Sequence, residues 1–128
     1  MVCQVAETVL VFEPDLLFSS QIENAAHKVG LDVIVTVSLS EMKQALRDSA
    51  PRMVLANLDA LAGDSKVLVG LVHGACRLVG YYSHVNSKLA TEALACGFEI
   101  ALPRRTFVER LSEILAATDS GGELSHLS

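Results

Sequence analysis

The stretch VIVTVSLSEMKQALRDSAPRMVLAN, from Val33 to Asn57, reads as a strand, a helix and a second strand. Val33-Ile34-Val35-Thr36-Val37 is an unbroken, mostly β-branched run, which predicts a strand covered on both faces. Ser38 and Glu41 have the spacing of a capping box. The helix they open carries Leu39, Met42, Ala45 and Leu46 on one face, and Pro51 stops it. Met53-Val54-Leu55-Ala56 is the next buried strand. Two buried strands joined through a helix form the crossover unit of a parallel sheet.

The same alternation continues in both directions. Upstream, Val9-Leu10-Val11-Phe12 is a strand. Phe18, Ile22, Ala25, Ala26 and Val29 then recur at helical spacing up to Gly30. Downstream, a loop with Gly63 and Asp64 leads to a helix from Ser65 to Ala75. Leu78 to Tyr82 is a fourth strand, and a helix from Ser87 to Cys96 ends at Gly97. Ile100-Ala101-Leu102 is a short fifth strand. Thr106 and Glu109 have capping-box spacing again, ahead of a last helix with Phe107, Leu111, Ile114 and Leu115 as its apolar stripe. Five strands alternating with five helices predict a doubly wound (βα)5 α/β sandwich around a five-stranded parallel sheet. The expected organisation is one domain over residues 1–118. A polar tail, 119–128, contains Gly121-Gly122 and is expected to fray.

Composition bounds the function. Apolar residues make up 51% of the 128, enough for one real core. The net charge is −5 and the ten basic residues form no stripe, which argues against nucleic acid as the main partner. The apolar stretch from Val67 to Tyr82 is broken by His73 and Arg77 and falls short of the ~20 residues of a spanning helix, so no membrane anchor is expected. Cys3, Cys76 and Cys96 include no CxxC pair. With no signal-peptide pattern at the N-terminus, they predict reduced, mostly buried thiols in a cytoplasmic protein. The histidines share no metal-ligand spacing. No GxGxxG or GxxxxGK[ST] follows a strand, and the segment after the first strand has no glycines to cradle a phosphate.

In doubly wound folds ligands sit beyond the C-terminal ends of the strands. Here those ends carry Glu13-Pro14-Asp15, Asn57-Leu58-Asp59, Ser83-His84 and Pro103-Arg104-Arg105. Their order and spacing resemble the receiver domain of two-component response regulators, over about Thr8 to Ala117. Gly97-Phe98-Glu99-Ile100-Ala101-Leu102-Pro103-Arg104 is similar to that family's Gly-Ala-x-x-Tyr-Leu-x-Lys segment. Ser83 falls where the family keeps Thr or Ser. The resemblance implies a flavodoxin-like fold. In the family, an aspartate after the third strand accepts a phosphoryl group beside Mg²⁺, which two acids after the first strand help to hold.

This sequence departs from that pattern at the groups that do the chemistry. The acceptor position is Asn57, and an amide is no carboxylate nucleophile. The acidic pair is reduced to Glu13-Pro14, with Asp15 either compensating or capping the first helix. Arg104 stands for the lysine, Arg105 for the proline after it, and Ala101 for the aromatic of the fifth strand. The resulting expectation is a pseudo-receiver without catalytic residues, metal or cofactor, acting through protein–protein contact or homodimerisation over Ser87 to Ala117. The alternative is a small anionic ligand held at Ser83, Arg104 and Arg105. A third reading has Asp59 or Asp15 as a displaced phosphoacceptor or part of a small enzyme.

Individual residues have plainer readings. Asn57 reads as a turn residue bonded to its own loop, and Asp59 as a solvated loop acid. Arg104 reads as an internal partner of Glu13. Tyr81 and Tyr82 pack the fourth strand, each with a hydroxyl partner. A Ser83–His84 dyad is not expected, because neighbours on a strand point to opposite faces.

Overall fold

A computed structural model describes residues 7–72, 76–83, 85 and 87–116. Five strands form one sheet: β1 Thr8–Phe12, β2 Asp32–Thr36, β3 Met53–Asn57, β4 Arg77–Tyr82 and β5 Ile100–Pro103. Every pairing is parallel and the order is β2-β1-β3-β4-β5. The helices are α1 Leu16–Lys28, α2 Leu39–Asp48, α3 Leu58–Leu61, α4 Ser65–Leu71, α5 Ser87–Cys96, α6 Arg104–Glu109 and α7 Leu111–Ala116.

The period of two along each strand divides the interior into two cores. Val9, Val11, Met53, Leu55, Val79, Tyr81, Ile100 and Leu102 face Phe18, Ile22, Phe107, Ile114 and Leu115 of α1, α6 and α7. Leu10, Phe12, Val54, Ala56 and Leu78 face Met42, Leu58, Leu61, Leu68 and Ala93 of α2 to α5. Each fully buried large aliphatic contributes about 1.5–3 kcal/mol of transfer free energy. The uninterrupted apolar runs of β1 and β3 follow from this, since both faces of the central strands are covered.

Four expectations are corrected. Strand β2 is an edge strand, so Val33 and Val35 are only half-buried and Ile34 is exposed. The span after β3 is not all loop: Asn57 caps the single turn of α3, which ends at Ala62 in the left-handed region (φ 50°). The Thr106/Glu109 pair is no capping box. The last helical segment opens at Arg104 directly after Pro103, Thr106 lies inside α6, and its carbonyl accepts from Arg110 N. Cys76 and Cys96 are free but only half-buried, and burial pushes the Cys76 thiol up to about 11.

The capping box of α2 is present in altered form. Ser38 Oγ accepts from Glu41 N at 3.1 Å, while the Glu41 carboxylate reaches back to Val37 N at 2.9 Å. Gly80 in β4 sets how closely α3 approaches the sheet: a β-carbon there would meet the Leu58 side chain at 2.9 Å. Expectations for Cys3, Gly74, His73, His84, His126 and the tail 119–128 fall outside the described residues.

Candidate functional site

Glu13 follows β1 and is 1% exposed. Its backbone N–H continues the ladder to Thr36 O, which fixes the side chain over the sheet end. A buried carboxylate must be compensated by donors. Three supply them. The Tyr81 hydroxyl donates to Oε1 at 2.6 Å. Asn57 Nδ2 donates to Oε1 and Oε2 at 3.0 and 3.2 Å. The Asp15 backbone N–H donates to Oε2 at 3.0 Å.

The other end of the Asn57 amide is also engaged, because Oδ1 accepts from Ala60 N at 3.1 Å and starts α3. These two contacts fix which way the amide points. The turn role expected for Asn57 is present, with a cross-strand role added to it.

Tyr81 lies in register with Asn57 on the neighbouring strand. Its ring stacks on Phe107 at 4.3 Å and tilts against Phe18 at 5.3 Å. Burial, and then the hydrogen bond to the Glu13 carboxylate, hold its phenol well above the ordinary tyrosine range. The hydroxyl therefore stays a donor across physiological pH.

Arg104 does not pair with Glu13 as expected. It lies with its Cζ 4.0 Å over the Phe18 ring and Nη2 3.9 Å from Asp15 Oδ2, both side chains about half exposed. Asp15 is the N-cap of α1, accepting from Leu17 N at 2.9 Å and Phe18 N at 3.3 Å. Asp59 is no solvated loop acid. From α3 its Oδ2 accepts the Ser83 N–H at 2.7 Å, tying the end of β4 to the end of β3.

The strand-end residues thus form two groups. Glu13, Asn57 and Tyr81 close into one hydrogen-bonded cluster. Among the described residues no buried side-chain nitrogen or oxygen lacks a partner. Beside the cluster, Ser83, Pro103, Arg104, Arg105 and Val108 line an open groove of about 400 Å³. The Arg105 side chain is 91% exposed, with Glu109 at 3.6 Å.

The Mg²⁺ expected of a phosphorylatable receiver does not suit this donor set. Glu13 is saturated by hydrogen-bond donors, Asn57 turns its N–H₂ toward Glu13, and Asp15 caps α1 through Oδ1, with Oδ2 turned to Arg104 at 3.9 Å. No group of three or more His, Cys, Asp or Glu among the described residues is placed to hold a metal.

Sequence reasoning named Glu13, Asn57, Asp59, Ser83 and Arg104 but missed the aromatic floor of Tyr81, Phe18 and Phe107. The available signal was the register. If Asn57 ends β3, the residue level with it on β4 is Tyr81 and faces the same cluster.

No protein-family model matches the chain, and no curated protein matches its sequence. Solved structures do match. A response regulator from Hahella chejuensis is similar with a TM-score of 0.77 and 12% identity, over 91% of this chain and 97% of that one. An orphan response regulator of H. pylori gives 0.70 and 16%, over 86% and 91%. An atypical orphan response regulator described as having a phosphorylation-independent regulatory mechanism gives 0.67 and 18%, over 85% and 95%. At these identities the likeness is one of fold: an all-parallel, five-stranded α/β sandwich of the receiver type.

Proposed function

We propose that this receiver-type fold serves as a signalling module that works without aspartyl phosphorylation and acts through protein–protein contact. The observation that carries the reading is the state of Asn57. The residue at the acceptor position is an amide, held at one end by Glu13 and at the other by the first turn of α3. It offers neither a nucleophilic oxygen nor an open coordination position, and the neighbouring carboxylate is already saturated. The similarity to an atypical regulator with a phosphorylation-independent mechanism supports the same reading. The module is not an enzyme in this reading, and its partner is a protein or a second copy rather than nucleic acid.

The test is intact mass after incubation with Mg²⁺ and a small-molecule phosphodonor, alongside a conventional receiver. The mass is expected to stay unchanged. Gain of one phosphoryl group overturns the reading and makes Asp59 the first residue to replace.

A second reading has its own observation. The groove beside the closed cluster is lined by Ser83, Arg104 and Arg105, and the Arg105 guanidinium faces solvent. A small anion would be received there. A thermal-shift screen of nucleotides and anionic metabolites tests this, since a ligand selective for the folded state raises the midpoint. A flat response removes it.

A further inference from the structure

Strand β2 pairs with β1 alone, so one side of its backbone meets no second strand. The ladder fixes which side. Asp32 N–H donates to Glu7 O, and Thr36 O accepts from Glu13 N. Asp32, Ile34 and Thr36 therefore turn their backbone groups toward β1, and Val33, Val35 and Val37 turn theirs outward. The Val37 N–H is already taken by the Glu41 carboxylate at 2.9 Å. That leaves Val33 and Val35 as the frame a further strand would use.

Sheets protect such an edge with proline, lysine or a bulge. Strand β2 has none of them. Its sequence is Asp-Val-Ile-Val-Thr, and its register with β1 runs unbroken from Thr8 opposite Asp32 to Phe12 opposite Thr36. No side chain from Val33 to Ser40 carries a charge, although the chain has a net charge of −5. The side chains are also incompletely covered: Ile34 is 36% exposed and Val37 47%. The other edge strand, β5, is a residue shorter and stops at Pro103, where α6 begins.

We infer that β2 is a homodimerisation edge, with the β2 strands of two copies joined antiparallel about a two-fold axis at Ile34. One sheet then runs through both copies. The inference rests on the interaction-module reading, names a second copy as the partner, and moves the contact from the Ser87–Ala117 side to the opposite edge of the sheet.

The occupant follows from the symmetry of the edge itself. The outward pair Val33 and Val35 is matched by the same pair run in reverse. Val33 exchanges both backbone bonds with the second copy's Val35, and Val35 does so with the second copy's Val33. Ile34 meets its counterpart at the axis, and Asp32 lies opposite Thr36, so no like charges stand face to face. A two-fold axis uses the same edge on both copies and closes the assembly as a dimer. A charged foreign strand would find no complementary charge between Val33 and Ser40.

The test is size-exclusion chromatography with light scattering on the full chain, over a concentration series. Wild type is expected to dimerise, and more tightly as salt screens the like net charges of the copies. Val35→Pro deletes an outward donor without touching the β1 ladder, and should raise the dimer Kd at least about tenfold. Ile34→Lys brings two like charges together at the axis and should weaken the dimer in a way that salt partly reverses. Leu94→Ser, on α5, should change nothing. Ile34→Cys should cross-link the dimer on mild oxidation, with wild type and its own cysteines as the control. Circular dichroism checks folding, and the two Ile34 variants decide the matter if Val35→Pro does not fold.

A monomer at the highest soluble concentration overturns the inference. A dimer that ignores Val35→Pro and Ile34→Lys, that is lost in Leu94→Ser, or that Ile34→Cys fails to cross-link overturns it too. Open-ended oligomers overturn the closed two-fold pairing. All of these outcomes leave the phosphorylation-independent reading standing, because that reading falls only to a gain of mass with the phosphodonor.

Discussion

The strand ends of β1, β3 and β4 and the strand end of β5 are neighbours with opposite solutions to the same problem. Polar and charged groups gather at both. At the first, buried Glu13 and Tyr81 and half-buried Asn57 are consumed by one another. At the second, Arg104 and Arg105 lie half or fully in solvent, with long ion pairs and an open groove between them. Low dielectric makes an unpaired group expensive in the first region, whereas water makes pairing nearly optional in the second. The difference separates a structural cluster from a surface free to meet something else.

Several substitutions break or sharpen that contrast. The largest effect is expected for Tyr81→Ala, which removes the stacked floor and one donor to Glu13. It should cost about 3–5 kcal/mol in urea unfolding. Asn57→Asp comes next. It sets a carboxylate oxygen about 3 Å from Glu13 in place of a donor, and should cost about 2–3 kcal/mol at neutral pH. The repulsion raises the pair's proton affinity in the folded state. Stability of this variant should therefore recover as pH falls and the pair takes up a proton, which a pH series of thermal melts would show.

Tyr81→Phe keeps the stack and deletes one hydrogen bond, for about 1–3 kcal/mol. Its clearer signature is at high pH. The folded phenol titrates above its ordinary value of 10.0, so its contribution is fully present below pH 10 and is lost as pH rises beyond it. The wild-type chain should thus lose stability above pH 10 more steeply than Tyr81→Phe. Both should share the loss from Cys76, which begins near pH 9.0 and runs to about 11. The smallest effect belongs to the open side: Arg105→Ala should move the unfolding free energy by no more than about 0.5 kcal/mol. A larger change would mean that this side is part of the folded framework.

The elements whose residues bury both faces were legible in the sequence. Val9–Phe12 and Met53–Ala56 could be read as central strands, and Ser87–Cys96 as a helix closed by Gly97, because each pattern is local and strong. What failed was local pattern with no tertiary context. Val33–Val37 has the composition of a central strand, yet its place at the edge is decided by how the chain pairs. Thr106 and Glu109 have the right spacing for a cap, but the helix had already begun at Arg104.

The site divides in the same way. Residue identities at the strand ends followed from counting along the chain. Partnerships did not, because Glu13 meets Tyr81 across 68 positions and Asp59 meets Ser83 across 24. Charge and position at the strand ends pair Arg104 with Glu13 in the sequence. The phenol and the amide had already satisfied that carboxylate, leaving the guanidinium to the Phe18 ring and Asp15.

Gly80 has a reach that its missing side chain conceals. Leu58 rests directly on its backbone, and Leu58 stands between Asn57 and Asp59, the two residues that latch β3 to β1 and to β4. A methyl group at position 80 would lift this helical turn, straining both latches together without altering any polar residue. A genetic screen for conditional loss of function would then recover a glycine beneath the site, with every side chain of the site itself still wild type. One hydrogen atom acts here as a spacer, and it sets the tolerance to which the whole upper end of the molecule is assembled.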